Sequence, residues 1–100
     1  MGTGDDAPAA GRAQGTFTIR NMLGLHARAA AQCVNIANRF QSEIIVRKGR
    51  DAANGKSIMG VLMLAAARGS VVEVEATGPD AAGAVRELGA LIDNLFGEGQ

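Results

Sequence analysis

Leu23-Gly24-Leu25-His26-Ala27-Arg28-Ala29-Ala30 is where the chain changes its period. Before it, Thr16-Phe17-Thr18-Ile19-Arg20 alternates polar and apolar side chains, the pattern of a half-buried strand with Phe17 and Ile19 facing inward. After it, Ala30, Cys33, Val34, Ala37 and Phe40 recur at three- and four-residue steps, the stripe of an amphipathic helix from Ala27 to Phe40. Asn21 to Leu25 is then a strand-to-helix loop, and His26, the only histidine, falls at the helix N-cap. A helix starting there turns its unpaired backbone N–H groups and the positive end of its dipole toward the imidazole, a setting that favours an anion. Arg28 adds a guanidinium that can hold phosphate oxygens in a two-pronged fork. On residue types alone, His26 reads equally as a capping or surface histidine and as one placed beside a phosphoryl group.

Outward from this point the alternation returns in Glu43 to Arg47, with Ile44 and Val46 on one face and Ile45 on the other. Lys48-Gly49-Arg50-Asp51 reads as a hairpin turn into a third strand, Asp51 to Ala53, that is weak by propensity. Ser57 is an N-cap residue for a short helix, Ile58-Met59-Gly60-Val61-Leu62-Met63-Leu64, that is apolar all round. So small a domain does not bury such a helix on every side. Val61 and Leu64 are assigned to the core, and Ile58, Met59, Leu62 and Met63 to a docking surface. Val71 to Ala76 alternates as a fourth strand, Gly78-Pro79 turns the chain, and Asp80 caps a last helix with apolar positions Ala84, Val85, Leu88, Leu91, Ile92 and Leu95. The order β-α-β-β-α-β-α implies an α+β fold, a four-stranded, mainly antiparallel sheet with three helices gathered on one face.

One hundred residues make one domain, and 47% hydrophobic with 20% charged residues is ordinary for a soluble globular protein. Ten basic and ten acidic side chains cancel, and the three aromatic residues are all phenylalanine. That composition argues against a surface gripping nucleic acid. The longest apolar run, Ile58 to Ala67, is shorter than the roughly 20 residues of a membrane span. Cys33 has no second cysteine to pair with and reads as a small buried hydrophobe in a reduced, cytosolic setting. Residues 1–14 lack the features of a secretory signal and are expected to form a disordered tail before a folded domain over residues 15–96, with 97–100 a second tail. No metal-ligand cluster, P-loop or Ser-His-Asp set is present, so no cofactor or metal is expected, and a lone histidine suits a stoichiometric carrier better than an enzyme.

Gly24-Leu25-His26-Ala27-Arg28, followed downstream by Gly55-Lys56-Ser57-Ile58-Met59-Gly60-Val61, resembles the histidine-containing phosphocarrier (HPr) family of the bacterial phosphoenolpyruvate-dependent phosphotransferase system. The two motifs stand at the family's separation, and the resemblance spans about residues 15–96. It implies an open-faced β-sandwich of four strands and three helices. It also implies that His26 accepts a phosphoryl group on its δ1 nitrogen from enzyme I, with Arg28 stabilising the phosphate. The group then passes to IIA domains of sugar permeases or of a regulatory branch. The protein so implied is a cytoplasmic monomer and no enzyme, with Ser57 a target for an HPr serine kinase/phosphorylase. A regulatory relative that signals by docking, under control of Ser57 phosphorylation, is the alternative. Ala29 stands where the family usually has proline, which keeps the helix start but gives up rigidity.

Overall fold

Alternation in Val71–Thr77 produces the strand around which the sheet is assembled, with Val72, Val74 and Ala76 buried on one face. In the computed structural model, which describes residues 11–98, this strand is β4. It pairs antiparallel with β1 (Arg12–Thr18) on one side and with β2 (Glu43–Lys48) on the other. β2 in turn pairs antiparallel with β3 (Asp51–Asn54) across a turn in which Gly49 has a φ of 60°. Among the described residues the order β1-β4-β2-β3 leaves β1 and β3 as edges. Three helices, α1 (Ala27–Ala37), α2 (Ile58–Met63) and α3 (Ala81–Asp93), complete the expected β-α-β-β-α-β-α order. The core lies between sheet and helices: Ile44, Val46, Val72 and Val74 meet Ala30, Cys33, Val34, Ala84, Leu88 and Ile92. Among the described residues no helix is long and apolar enough to cross a membrane.

Several boundaries differ from those read off the sequence. β1 begins at Arg12, inside the stretch expected to be tail, because β4 offers partners as far as Thr77: Arg12 lies opposite Thr77 and Ala13 opposite Ala76. Residues 1–10 of that expected tail, and the last two of 97–100, lie outside the described residues. Ile19, expected within the strand, lies just beyond it yet is fully buried, its N–H donating to the Ser70 carbonyl at 2.8 Å. α1 stops at Ala37 rather than Phe40. The Asn38 side chain donates to the Val34 carbonyl at 3.0 Å, competing for the backbone acceptors that a longer helix uses. Past that end, Lys56 brings its ammonium to the Phe40 carbonyl at 2.7 Å, a cation favourably placed beside a helix C-terminus.

Asp80 precedes α3 as expected, but its side chain makes no capping bond. Its carboxylate instead accepts from Ser42 Oγ at 2.6 Å, Gln41 N–H at 2.9 Å and Ser42 N–H at 3.0 Å, tying the α1–β2 loop to the start of α3. Leu95, expected on the stripe of the last helix, is outside it. α3 ends at Asp93 and the chain enters a 3-10 turn, Leu95–Gly97, with φ values of 57°, 54° and 77°. Left-handed backbone costs residues with a side chain about 1–2 kcal/mol each. Burial of Phe96, 2% exposed, offsets that cost, since a fully buried phenylalanine side chain is worth about 1.5–3 kcal/mol.

Candidate functional site

The loop before α1 is shaped by its own hydrogen bonds and by the segment that follows α2. Asn21, fully buried, donates through Nδ2 to the Gly24 carbonyl at 2.8 Å, and the Gly24 N–H returns a bond to the Asn21 carbonyl at 3.1 Å. Leu25 N–H donates to the Ala66 carbonyl at 2.8 Å. Gly24 has a φ of 67°, and a Cβ there would lie 2.7 Å from that same carbonyl oxygen. Glycine is required both for the left-handed turn and for the close approach. The turn delivers His26 to the N-cap of α1 in extended backbone, with Ala30 N–H donating to the His26 carbonyl at 2.8 Å.

The half-buried imidazole of His26 presents its two nitrogens to different neighbours. Nδ1 faces the helix start, where Arg28 N–H donates to it at 3.3 Å. Nε2 is hydrogen-bonded to Oε2 of Glu98. The other oxygen of that carboxylate, Oε1, accepts from Asn21 Nδ2 at 3.0 Å. Asn21 first, then His26, holds the Glu98 carboxyl below its ordinary range, and the nearby Arg28 charge adds to the effect. The Arg28 side chain is exposed, and among the described residues its guanidinium makes no hydrogen bond or ion pair. A cleft lined by Met22, Leu23, His26, Arg28 and Glu98 opens to solvent here, with Met22 57% and Leu23 68% exposed. An imidazole with one nitrogen at a helix start, a free guanidinium two residues on and an apolar rim can receive a phosphoryl group and dock the protein that brings it.

The second motif builds a different surface. Ser57 caps α2, its Oγ accepting from Gly60 N–H at 3.1 Å, as its residue type suggested. Val61 and Leu64 are core, while Ile58, Met59 and Met63 are 44%, 66% and 78% exposed. Leu62, assigned to the same docking surface, is half-buried and packs against the core. α2 packs against α1, but Ser57 and Met63 line their own open groove with Arg50 and Leu64, not the cleft of His26. Cys33 is buried on α1, and burial pushes its thiol up to about 12, in keeping with a packing role. Among the described residues, no three His, Cys, Asp or Glu side chains are grouped to hold a metal ion.

Sequence reasoning missed Asn21, Met22, Leu23 and Glu98 as parts of the site. Asn21 carried one signal, an asparagine three residues ahead of a glycine, where its amide can close a turn. Glu98 carried none, since nothing local marks a glutamate between two glycines as the neighbour of a residue 72 positions away.

Comparison with known proteins places this geometry. The family model described as the PTS HPr component phosphorylation site matches residues 13–94. The chain is 52% identical over 85 residues to the phosphocarrier protein HPr of Neisseria meningitidis serogroup A, covering 85% of this chain and 96% of that one. It is 49% identical over 83 residues to the phosphocarrier protein HPr of Cupriavidus necator, covering 83% and 93%. The crystal structure of HPr-C-His from Thermoanaerobacter tengcongensis superposes with a TM-score of 0.83 at 43% identity, covering 86% of this chain and 97% of that one. With sequence motifs, sheet order and three-helix cover in agreement, the chain belongs to the HPr family of phosphocarrier proteins of the phosphotransferase system.

Proposed function

We propose that this protein carries a phosphoryl group on Nδ1 of His26, receiving it from enzyme I and delivering it to a IIA domain. The observation that carries this reading is the placement of Nδ1 at the start of α1, where its one hydrogen bond among the described residues is the long 3.3 Å bond from Arg28 N–H. A phosphoryl group on Nδ1 meets the positive end of the helix, whose free N–H groups suit its charge. Phosphoryl transfer asks a protein chiefly for positioning and charge neutralisation, and the free Arg28 guanidinium supplies the second. Met22 and Leu23 around the cleft, with Ile58, Met59 and Met63 on α2, offer apolar surface for the partners to cover.

Incubation with phosphoenolpyruvate and enzyme I, followed by intact mass and phosphorus NMR, tests the assignment. One acid-labile, base-stable phosphohistidine is expected, and His26→Ala should abolish it while the fold persists. A phosphorylated His26→Ala protein, or an unmodified wild type in the presence of active enzyme I, would refute it.

A further inference from the structure

We propose that Glu98 is a positioning residue for phosphoryl transfer, orienting and polarising the His26 ring through Nε2; this rests on the reading of His26 as the acceptor. Glu98 Oε2 is hydrogen-bonded to His26 Nε2, and its Oε1 accepts from Asn21 Nδ2 at 3.0 Å. An ionised carboxylate only accepts hydrogen bonds, so the ring proton resides on Nε2 and the lone pair on Nδ1. The Arg28 N–H facing Nδ1 at 3.3 Å selects the same tautomer. The nucleophilic nitrogen therefore points at the helix start, while the carboxylate holds the opposite nitrogen of the ring.

The Nδ1 lone pair forms the new bond to phosphorus as the bond from phosphorus to the donor atom breaks, and the donor atom leaves with that electron pair. The proton stays on Nε2, so the phosphorylated ring is an imidazolium whose positive charge faces Glu98. Because this charge grows along the step, the carboxylate stabilises the transition state more than the ground state. The hold on Glu98 is built from the other side as well. Asn21 is fully buried, and Phe96, 2% exposed, anchors the left-handed turn that brings Glu98 over the cleft.

The test uses the full chain with its histidine labelled with nitrogen-15. In the wild type, NMR is expected to show the Nε2–H tautomer with a hydrogen-bonded ring proton protected from exchange with water. Glu98→Ala should lose that protected proton and slow transfer from enzyme I roughly tenfold, with an unchanged melting temperature. Glu98→Gln, whose amide oxygen still accepts from Nε2–H, should restore the protected proton and part of the rate. The proposal is overturned if the wild-type ring is protonated on Nδ1, or if Glu98→Ala accepts phosphate as fast as wild type. Faster transfer would overturn it too, marking Glu98 as a block. A wild type that forms no phosphohistidine overturns the acceptor reading itself, whereas a phosphorylated wild type with an indifferent Glu98→Ala overturns only the role given to Glu98.

Discussion

Gly24 occupies a position where any side chain meets both a wrong backbone angle and a neighbour. The left-handed φ of 67° costs alanine about 1–2 kcal/mol, and a Cβ 2.7 Å from the Ala66 carbonyl oxygen forces a shift of backbone. Gly24→Ala is expected to lower stability by about 2–4 kcal/mol, measured by urea unfolding. Arg28 makes the opposite case two residues past His26. With no side-chain partner among the described residues, its loss should leave stability within about 0.5 kcal/mol, while Arg28→Ala slows transfer from enzyme I by about tenfold. Equal transfer rates for Arg28→Ala and wild type would remove Arg28 from the site.

At the scale of the element, α2 is six residues long and depends on its cap. Short helices gain little from propagation, so the burial of Val61 and Leu64 holds α2 and the Ser57 bond to Gly60 N–H, at 3.1 Å, fixes its first turn. Ser57→Ala should cost about 0.5–2 kcal/mol. Aspartate is an equally good cap, so Ser57→Asp is expected to melt close to wild type. Its negative charge beside the exposed Ile58 and Met59 should nonetheless slow transfer from enzyme I, through desolvation and repulsion at the proposed docking surface. Thermal melts and transfer rates on the same two variants separate capping from docking. Ser57→Asp transferring as fast as wild type would exclude phosphorylation of Ser57 as a switch on this step.

Across the whole molecule, Asp80 fastens the loop before β2 to the start of α3, at the end of the sheet where Glu43 lies opposite Thr77. The Ser42 hydroxyl, followed by the Gln41 N–H, holds the Asp80 carboxyl below its ordinary value of 3.8. A native value below the unfolded one means that this contribution is present above the unfolded value and is lost as pH falls through the native one. Stability should therefore decline as acid is added below about pH 4. Asp80→Asn is expected to be less stable than wild type at neutral pH and to show a shallower decline in acid. Urea unfolding across a pH series reads both, and parallel pH curves for the two proteins would remove Asp80 from the linkage.

Periodicity was enough for most of the architecture, because an alternating strand or a three-four helix stripe writes its buried face into adjacent residues. Val72, Val74 and Ala76, or Ala30, Cys33, Val34 and Ala37, are buried where their spacing puts them. The N-caps at His26 and Ser57 were legible for the same reason: a cap acts on a backbone N–H two or three residues away. The start of β1 at Arg12 was set instead by the length of β4, and the use of Asp80 by a loop 38 residues earlier. Glu98 reaches His26 only because Phe96 is buried and the chain after α3 turns left-handed, which no local pattern announces. The sequence by itself thus determined the strands, the helices and a histidine at a helix start. The partner of that histidine's second nitrogen was decided by tertiary structure, because packing alone brings together groups 72 residues apart.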